Sequence, residues 1–254
     1  MPEQSIDINC DIGEIGILKS AEQLELLEYI SSCNIATGFH AGDPYTAFRI
    51  IQRAVEKKLS IGAHPSYPDP INFGRKTMAM TRDELFASLI YQMSAIEGLC
   101  AAANANLQHV KLHGALYHDA HQREEVALVV IRFLKAWKGN LALYGQSNTI
   151  LAHLAAESDV EFVSEAFPDR RYGDQGNLLP RNQENAVIAE STSITSQAVE
   201  IIRDKIVTTA SGFSWPIEAR TLCIHGDHPN SINLARELTT SLRRMGIVIK
   251  PPKP

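Results

Sequence analysis

Ile6-Asp7-Ile8-Asn9-Cys10-Asp11-Ile12-Gly13-Glu14 alternates apolar and polar residues with a period of two, then breaks at a glycine beside a carboxylate. In a strand that period puts Asp7, Asn9 and Asp11 on one face and Ile8, Cys10 and Ile12 on the other. The apolar face has to meet helices, so the polar face points into the mouth of a barrel. The same pattern recurs: Ser60, Gly62 and His64 share a face, as do His109, Lys111 and His113. Strands are expected near Ile6–Cys10, Asn34–Thr37, Ser60–Ala63, His109–Leu112, Leu141–Tyr144, Phe162–Glu165 and Thr221–Ile224. All but the fifth run directly into ionisable residues, among them Asp11, Glu14, His40, Asp43, His64, His113, Asp169, Arg170, His225 and Asp227. Parallel strands linked by helices open all their C-terminal ends onto one face, where such residues converge in one pocket. The expectation is an α/β enzyme built as a seven-stranded parallel (β/α) barrel, TIM-like.

Length and composition agree with that architecture. A chain of 254 residues with 44% hydrophobic content is expected to form a single (β/α)7 barrel domain over residues 1–254. The net charge of −5 and the lack of a basic run argue against nucleic acid and leave a small-molecule substrate. Cys10, Cys33, Cys100 and Cys223 are far apart with no Cys-x-x-Cys spacing, as in a reduced protein. The first strand leaves no room for a leader, and no apolar run approaching the ~20 residues of a membrane span is expected, so the localisation expected is cytoplasmic.

Cap chemistry places several helices. Ser20 with Gln23 and Thr81 with Glu84 fit capping boxes, and Asp43-Pro44 reads as an N-cap followed by proline at the first helical position. Residues 169–185 are polar, rich in turn formers and too long for an ordinary connection, which points to a functional loop. A small hairpin is expected over Ile206–Thr209 and Ser214–Ile217, and a frayed tail from Lys250 onward.

Four histidines at four strand ends, His40, His64, His113 and His225, are hard to attribute jointly to core packing and point to a shared site. His109, His118, His121 and His153 lack a supporting motif and read as structural or exposed. His40 has no evident capping or core role. An N-cap role alone would explain Asp43 or Asp227. Arg75 and Arg181 are loop cations suited to a carboxylate or phosphate. No phosphate-cradling glycine loop, nucleophile elbow or His-Glu-x-x-His is present. If Zn²⁺ or Mn²⁺ binds, His40, Asp43 and His64 form the first triplet to test.

Asn9–Glu14, Asn34–Asp43, Ile61–Asp69, Asn72–Arg75, Val110–Tyr117, Leu179–Arg181 and Cys223–Asp227 occur in order over nearly the whole chain and closely resemble the LamB/YcsF lactam-utilisation family, that of the 5-oxoprolinase A subunits. The resemblance implies a barrel of the glycoside hydrolase/deacetylase type. It also implies ATP-dependent opening of 5-oxo-L-proline to L-glutamate, with ATP as co-substrate and subunits B and C as partners. Within that scheme the candidate catalytic residues are Asp11, His40, His64, Lys111, His113, Glu165, His225 and Asp227. The candidate substrate-binding residues are Glu14, Asp43, Arg75, Asp169, Arg170 and Arg181. Thr37, Leu112 and His118 depart from the usual family residues without removing an ionisable group. A stand-alone metal-dependent amidohydrolase or carbohydrate deacetylase is the alternative. A regulatory or scaffold subunit would not need an ionisable pocket.

Overall fold

Seven parallel strands close on themselves in a computed structural model that describes residues 4–14, 24–181, 183–224 and 230–252. They are β1 (Ser5–Ile12), β2 (Ser32–Ala36), β3 (Ser60–His64), β4 (His109–Lys111), β5 (Ala142–Gln146), β6 (Phe162–Ala166) and β9 (Thr221–Ile224). Neighbours run β1-β2-β3-β4-β5-β6-β9, and β9 pairs back onto β1 with Asp7 opposite Thr221 and Asn9 opposite Cys223. The hairpin β7 (Ile206–Thr208) and β8 (Ser214–Pro216) is antiparallel and stands apart from the barrel. A tenth strand, β10 (Val248–Ile249), pairs parallel with the start of β1. Two residues carry no periodic signal, so that strand is invisible in the sequence. It also anchors the start of the tail expected to be frayed, because the Lys250 amide donates to the Ile6 carbonyl at 3.1 Å, while residues 253–254 lie outside the described residues.

Local chemistry explains the outer helices. In α1 (Pro44–Lys57) the Asp43 carboxylate accepts from the Thr46 amide at 2.9 Å, and Ala47, Ile50, Ile51 and Ala54 form the buried stripe. In α2 (Arg82–Ala102) the Thr81 amide donates to Glu84 at 2.7 Å while the Glu84 amide donates to the Thr81 hydroxyl at 3.3 Å, a complete capping box. The Ser20/Gln23 pair lies outside the described residues. Contrary to the expectation of no long apolar run, α2 has 21 residues and contains an 18-residue window with a mean hydropathy of 1.4, enough to cross a membrane by length and composition. Here it lies in the helical layer, with Leu85, Leu89, Met93 and Ile96 buried. Further α-helices among the described residues are α3 (Gly114–Gln122), α4 (Glu124–Ala136), α5 (Ile150–Glu157), α6 (Ser191–Val199) and α7 (Ser231–Arg244).

The barrel interior is polar, as the alternation in β1 predicts. Asp7 accepts from Ser31, Ser32 and Thr221 at 2.6, 2.7 and 2.6 Å. Above it, Asn9 donates to Glu165 at 2.9 Å and to Thr221 at 2.7 Å, and accepts from Asn34 at 2.7 Å. His109 Nε2 faces the Asn34 amide oxygen at 2.8 Å, so Nε2 carries the hydrogen and Nδ1 accepts from Ser60 at 3.1 Å. Its ring fills the space over β3, where a Cβ on Gly62 would fall 2.1 Å from Nε2. Only glycine fits there.

Lys111 crosses the interior, its ammonium 2.9 Å from Asp11, 3.0 Å from Glu165 and 2.9 Å from the Cys223 sulfur. Burial works against that charge, but Asp11, Cys223 and Glu165 outweigh it and hold the lysine protonated well above its ordinary range. Breaking a buried pair strands its partner. Lys111→Met is therefore expected to lower unfolding free energy by about 3–5 kcal/mol, read by denaturant titration, and a loss below about 1 kcal/mol would contradict this account.

Asp7 is fully buried, and desolvation, opposed by its hydroxyl donors, pushes its carboxyl from 3.8 up to about 6. Between those values the folded chain keeps a proton that the unfolded chain has lost. The stabilisation this gives is complete below the unfolded value and lost as pH rises through about 6. Relative to Asp7→Asn, the native chain is expected to lose about 2 kcal/mol of stability between about pH 4 and about pH 7. Denaturant midpoints of both proteins at the two pH values check it, and a constant difference would refute it.

Candidate active site

A cavity of about 480 Å³ opens over the C-terminal ends of the strands. Asp11, Glu14, His64, Lys111 and His113 form its floor, and Arg75, Phe167, Arg170, Arg181, His118 and the segment Asn177–Pro180 form its rim. The floor comes from strands and the residues just after them, the rim mainly from two loops. The described residues of the loop 169–187 are held by antiparallel bridges, Arg170 with Val187 and Tyr172 with Leu178, and by the Gln197 amide donating to the carbonyls of Phe167, Pro168 and Arg170.

Three imidazoles gather around Glu14. His64 Nδ1 lies 2.7 Å from the Lys111 carbonyl and His113 Nε2 lies 2.9 Å from the Phe73 carbonyl. Carbonyls only accept, so both of those nitrogens donate, and His64 Nε2 and His113 Nδ1 are left turned toward each other at 2.9 Å. His113 Nδ1 is 3.2 Å from Glu14 Oε1, and His64 Nε2 is 3.7 Å from that oxygen and 3.3 Å from Asp11. His40 Nε2 meets Glu14 at 3.2 Å and stacks on His113 with centroids 3.7 Å apart. Gly74, at φ +62°, lets the Phe73 loop pass this close, since a Cβ there would lie 2.9 Å from His40 Cβ.

The electrostatics follow from the contacts. Burial raises the Glu14 carboxyl, but the imidazoles of His113, His40 and His64 around it outweigh that and leave the group ionised far below the usual range. Burial disfavours charge on His64, yet Asp11 reverses that and raises its pKa. His40 stays neutral, lowered by burial to about 4 despite its bond to Glu14. His118 is lowered by burial and by the charges of Arg170 and Arg181.

Of the residues expected from sequence, Asp11, Glu14, His64, Arg75, Lys111, His113, Arg170 and Arg181 line the cavity. His40 touches it through Glu14, and its expected lack of a core role does not hold: it is 2% exposed and packs on His64, Phe73 and His113. Glu165 lies beneath the floor, bonded to Asn9, Lys111 and the Tyr117 hydroxyl. Arg170 bonds the carbonyls of Leu179 and Ala186, shaping the loop. Asp169 is buried, and Asp43 is occupied as the cap of α1 and is not a lining residue. The expected His40/Asp43/His64 metal triplet is thereby replaced: Glu14, His40, His64 and His113 each offer a ligand atom, all within 4.8 Å of one another. His225 and Asp227 lie outside the described residues.

Sequence reasoning passed over Tyr117 and His118. Both lie in α3 just after His113, and the i+4 and i+5 spacing from a strand end was the available signal.

The LamB/YcsF family profile matches residues 6–254. The 5-oxoprolinase A subunit of Bacillus cereus is 36% identical over 251 residues, covering 98% of this chain and 99% of that one. Its counterpart from Vibrio cholerae is 39% identical over 244 residues, covering 95% and 99%. The crystal structure of a lactam utilization protein from Thermus thermophilus superposes with a TM-score of 0.89 at 31% identity, over 98% of this chain and 100% of that one. Matched along its length in both sequence and fold, this chain belongs to the LamB/YcsF family.

Proposed function

We propose that this chain is the A component of an ATP-dependent 5-oxoprolinase, opening 5-oxo-L-proline to L-glutamate together with subunits B and C. The observation that carries the reading is the polarity of the cavity, whose floor of Asp11, Lys111 and His64 can serve an amide while its rim of Arg75 and Arg181 suits a carboxylate. Relatives named as the A subunit of a 5-oxoprolinase match over the full length.

An unstrained five-membered lactam is a poor electrophile with a poor leaving group. Phosphoryl transfer from ATP to the amide oxygen releases ADP and activates the carbon. Water then adds to that carbon, the ring C–N bond breaks with a proton delivered to nitrogen, and a second water releases phosphate. Lys111 is placed to stabilise charge on the amide oxygen, and Asp11 to take a proton from water and return it to the ring nitrogen. Bidentate arginine contacts would orient the substrate carboxylate.

The purified chain alone is expected neither to hydrolyse ATP nor to release glutamate from 5-oxoproline, and addition of the two partner subunits is expected to restore both in coupled form. Steady ATP-independent ring opening by the chain alone would overturn this in favour of an amidohydrolase. In the assembled enzyme, Arg181→Gln is expected to raise KM roughly tenfold to a hundredfold with little change in kcat, the loss of one charged hydrogen bond to a bound ground state. An unchanged KM would remove Arg181 from the carboxylate site.

A further inference from the structure

Glu14, His64 and His113 bring three potential ligand atoms together at the floor of the cavity. The outer nitrogens of the two histidines are committed to the Lys111 and Phe73 carbonyls, so His64 Nε2 and His113 Nδ1 face one another at 2.9 Å, the two ring nitrogens left to share a proton or a metal ion. At that distance one or the other has to lie between them. Glu14 Oε1 completes a triangle with edges of 2.9, 3.2 and 3.7 Å. The point equidistant from its corners is about 1.9 Å from each, so an ion with bonds of about 2.0–2.2 Å fits just off the plane.

From this geometry we infer that Glu14, His64 and His113 bind one first-row divalent transition-metal ion, of the Zn²⁺ or Mn²⁺ class. Imidazole nitrogens with a carboxylate suit such ions. The carbonyls behind His64 and His113 fix their tautomers and ring orientations, as metal-binding histidines usually require. His40 is a positioning residue: its Nε2 bonds Glu14 and its ring stacks on His113 with planes 7° apart. Glu14, His64 and His113 also line the cavity, so one side of the ion would face a ligand. An ion held there would supply Lewis acidity at the cavity floor.

The site lies in the pocket of the proposed reaction but rests on donor geometry alone, and its test reads binding without turnover, so the two readings fail separately. The full chain is stripped with a chelator and titrated with Zn²⁺, and separately with Mn²⁺, by calorimetry. Metal content after gel filtration and the visible absorption of a Co²⁺-loaded sample provide further readouts. One ion per chain is expected. His40→Ala should weaken binding ~10–100-fold, as for loss of an outer partner, and His113→Ala by more. Glu14→Gln, which keeps size and shape and guards against a folding artefact, should also weaken it by more than His40→Ala does. His118→Ala, in the same cavity but outside the cluster, should bind as the native chain does. No stoichiometric uptake by the native chain, or undiminished binding by Glu14→Gln, overturns the inference.

Discussion

One buried ammonium organises this barrel. Lys111 enters from β4 and reaches Asp11 on β1, Glu165 on β6 and Cys223 on β9, joining elements from across the barrel. A charge in such surroundings is tolerable only when paired and fully hydrogen-bonded. The carboxylates are held in turn: Glu165 by Asn9 and Tyr117, Asp11 by Asn34. Most (β/α) barrels fill this space with branched apolar side chains. Here the apolar core lies between strands and helices, as Ile8, Cys10, Ile12, Val110 and Leu143 show, each without solvent exposure. The interior is left to polar groups whose directional bonds depend on register.

That dependence links fold to site. A one-residue slip in a strand turns every side chain to the other face, so the pairing that sets Asn34 beside Asn9 also sets His64 beside Asp11. The cavity floor is thus the top of the interior network and shares its rigidity. Backbone carbonyls behind His64 and His113 settle which nitrogen of each ring faces inward, before any ligand arrives. The side chains need little reorganisation to act, which is the condition under which electrostatic groups contribute most to catalysis.

The sequence was legible where chemistry is local. Period-two alternation located the polar face of β1, β3 and β4, and the caps at Asp43 and Thr81 located two helices. Strand-end residues declared a common pocket because topology alone brings them together. Contacts made by approach across the fold were illegible. Glu14 read as a substrate contact, yet three imidazoles from separate strand ends surround it. His118 read as incidental because a helix that begins immediately after a strand end carries no motif. Asp43 read both ways, and its bond to the Thr46 amide shows the local role prevailing. His40 read as lightly packed because nothing in the linear order shows that Gly74 brings the Phe73 loop against it.

The floor and the rim differ in origin and in charge, and the difference bears on selectivity. Carboxylates Asp11 and Glu14 meet Lys111 and the imidazoles within the floor, so opposite charges largely cancel over short distances. Arg75, Arg170 and Arg181 stand among described rim residues that include no carboxylate, which makes the mouth positive in a chain of net charge −5. Under the function proposed above, the substrate carboxylate would meet these arginines and lie with its charged end outward. A carboxylate driven down to the floor would meet Asp11 and Glu14. Because the rim belongs to loops and the floor to strands, loop residues can be exchanged while the ionisable groups below keep their places.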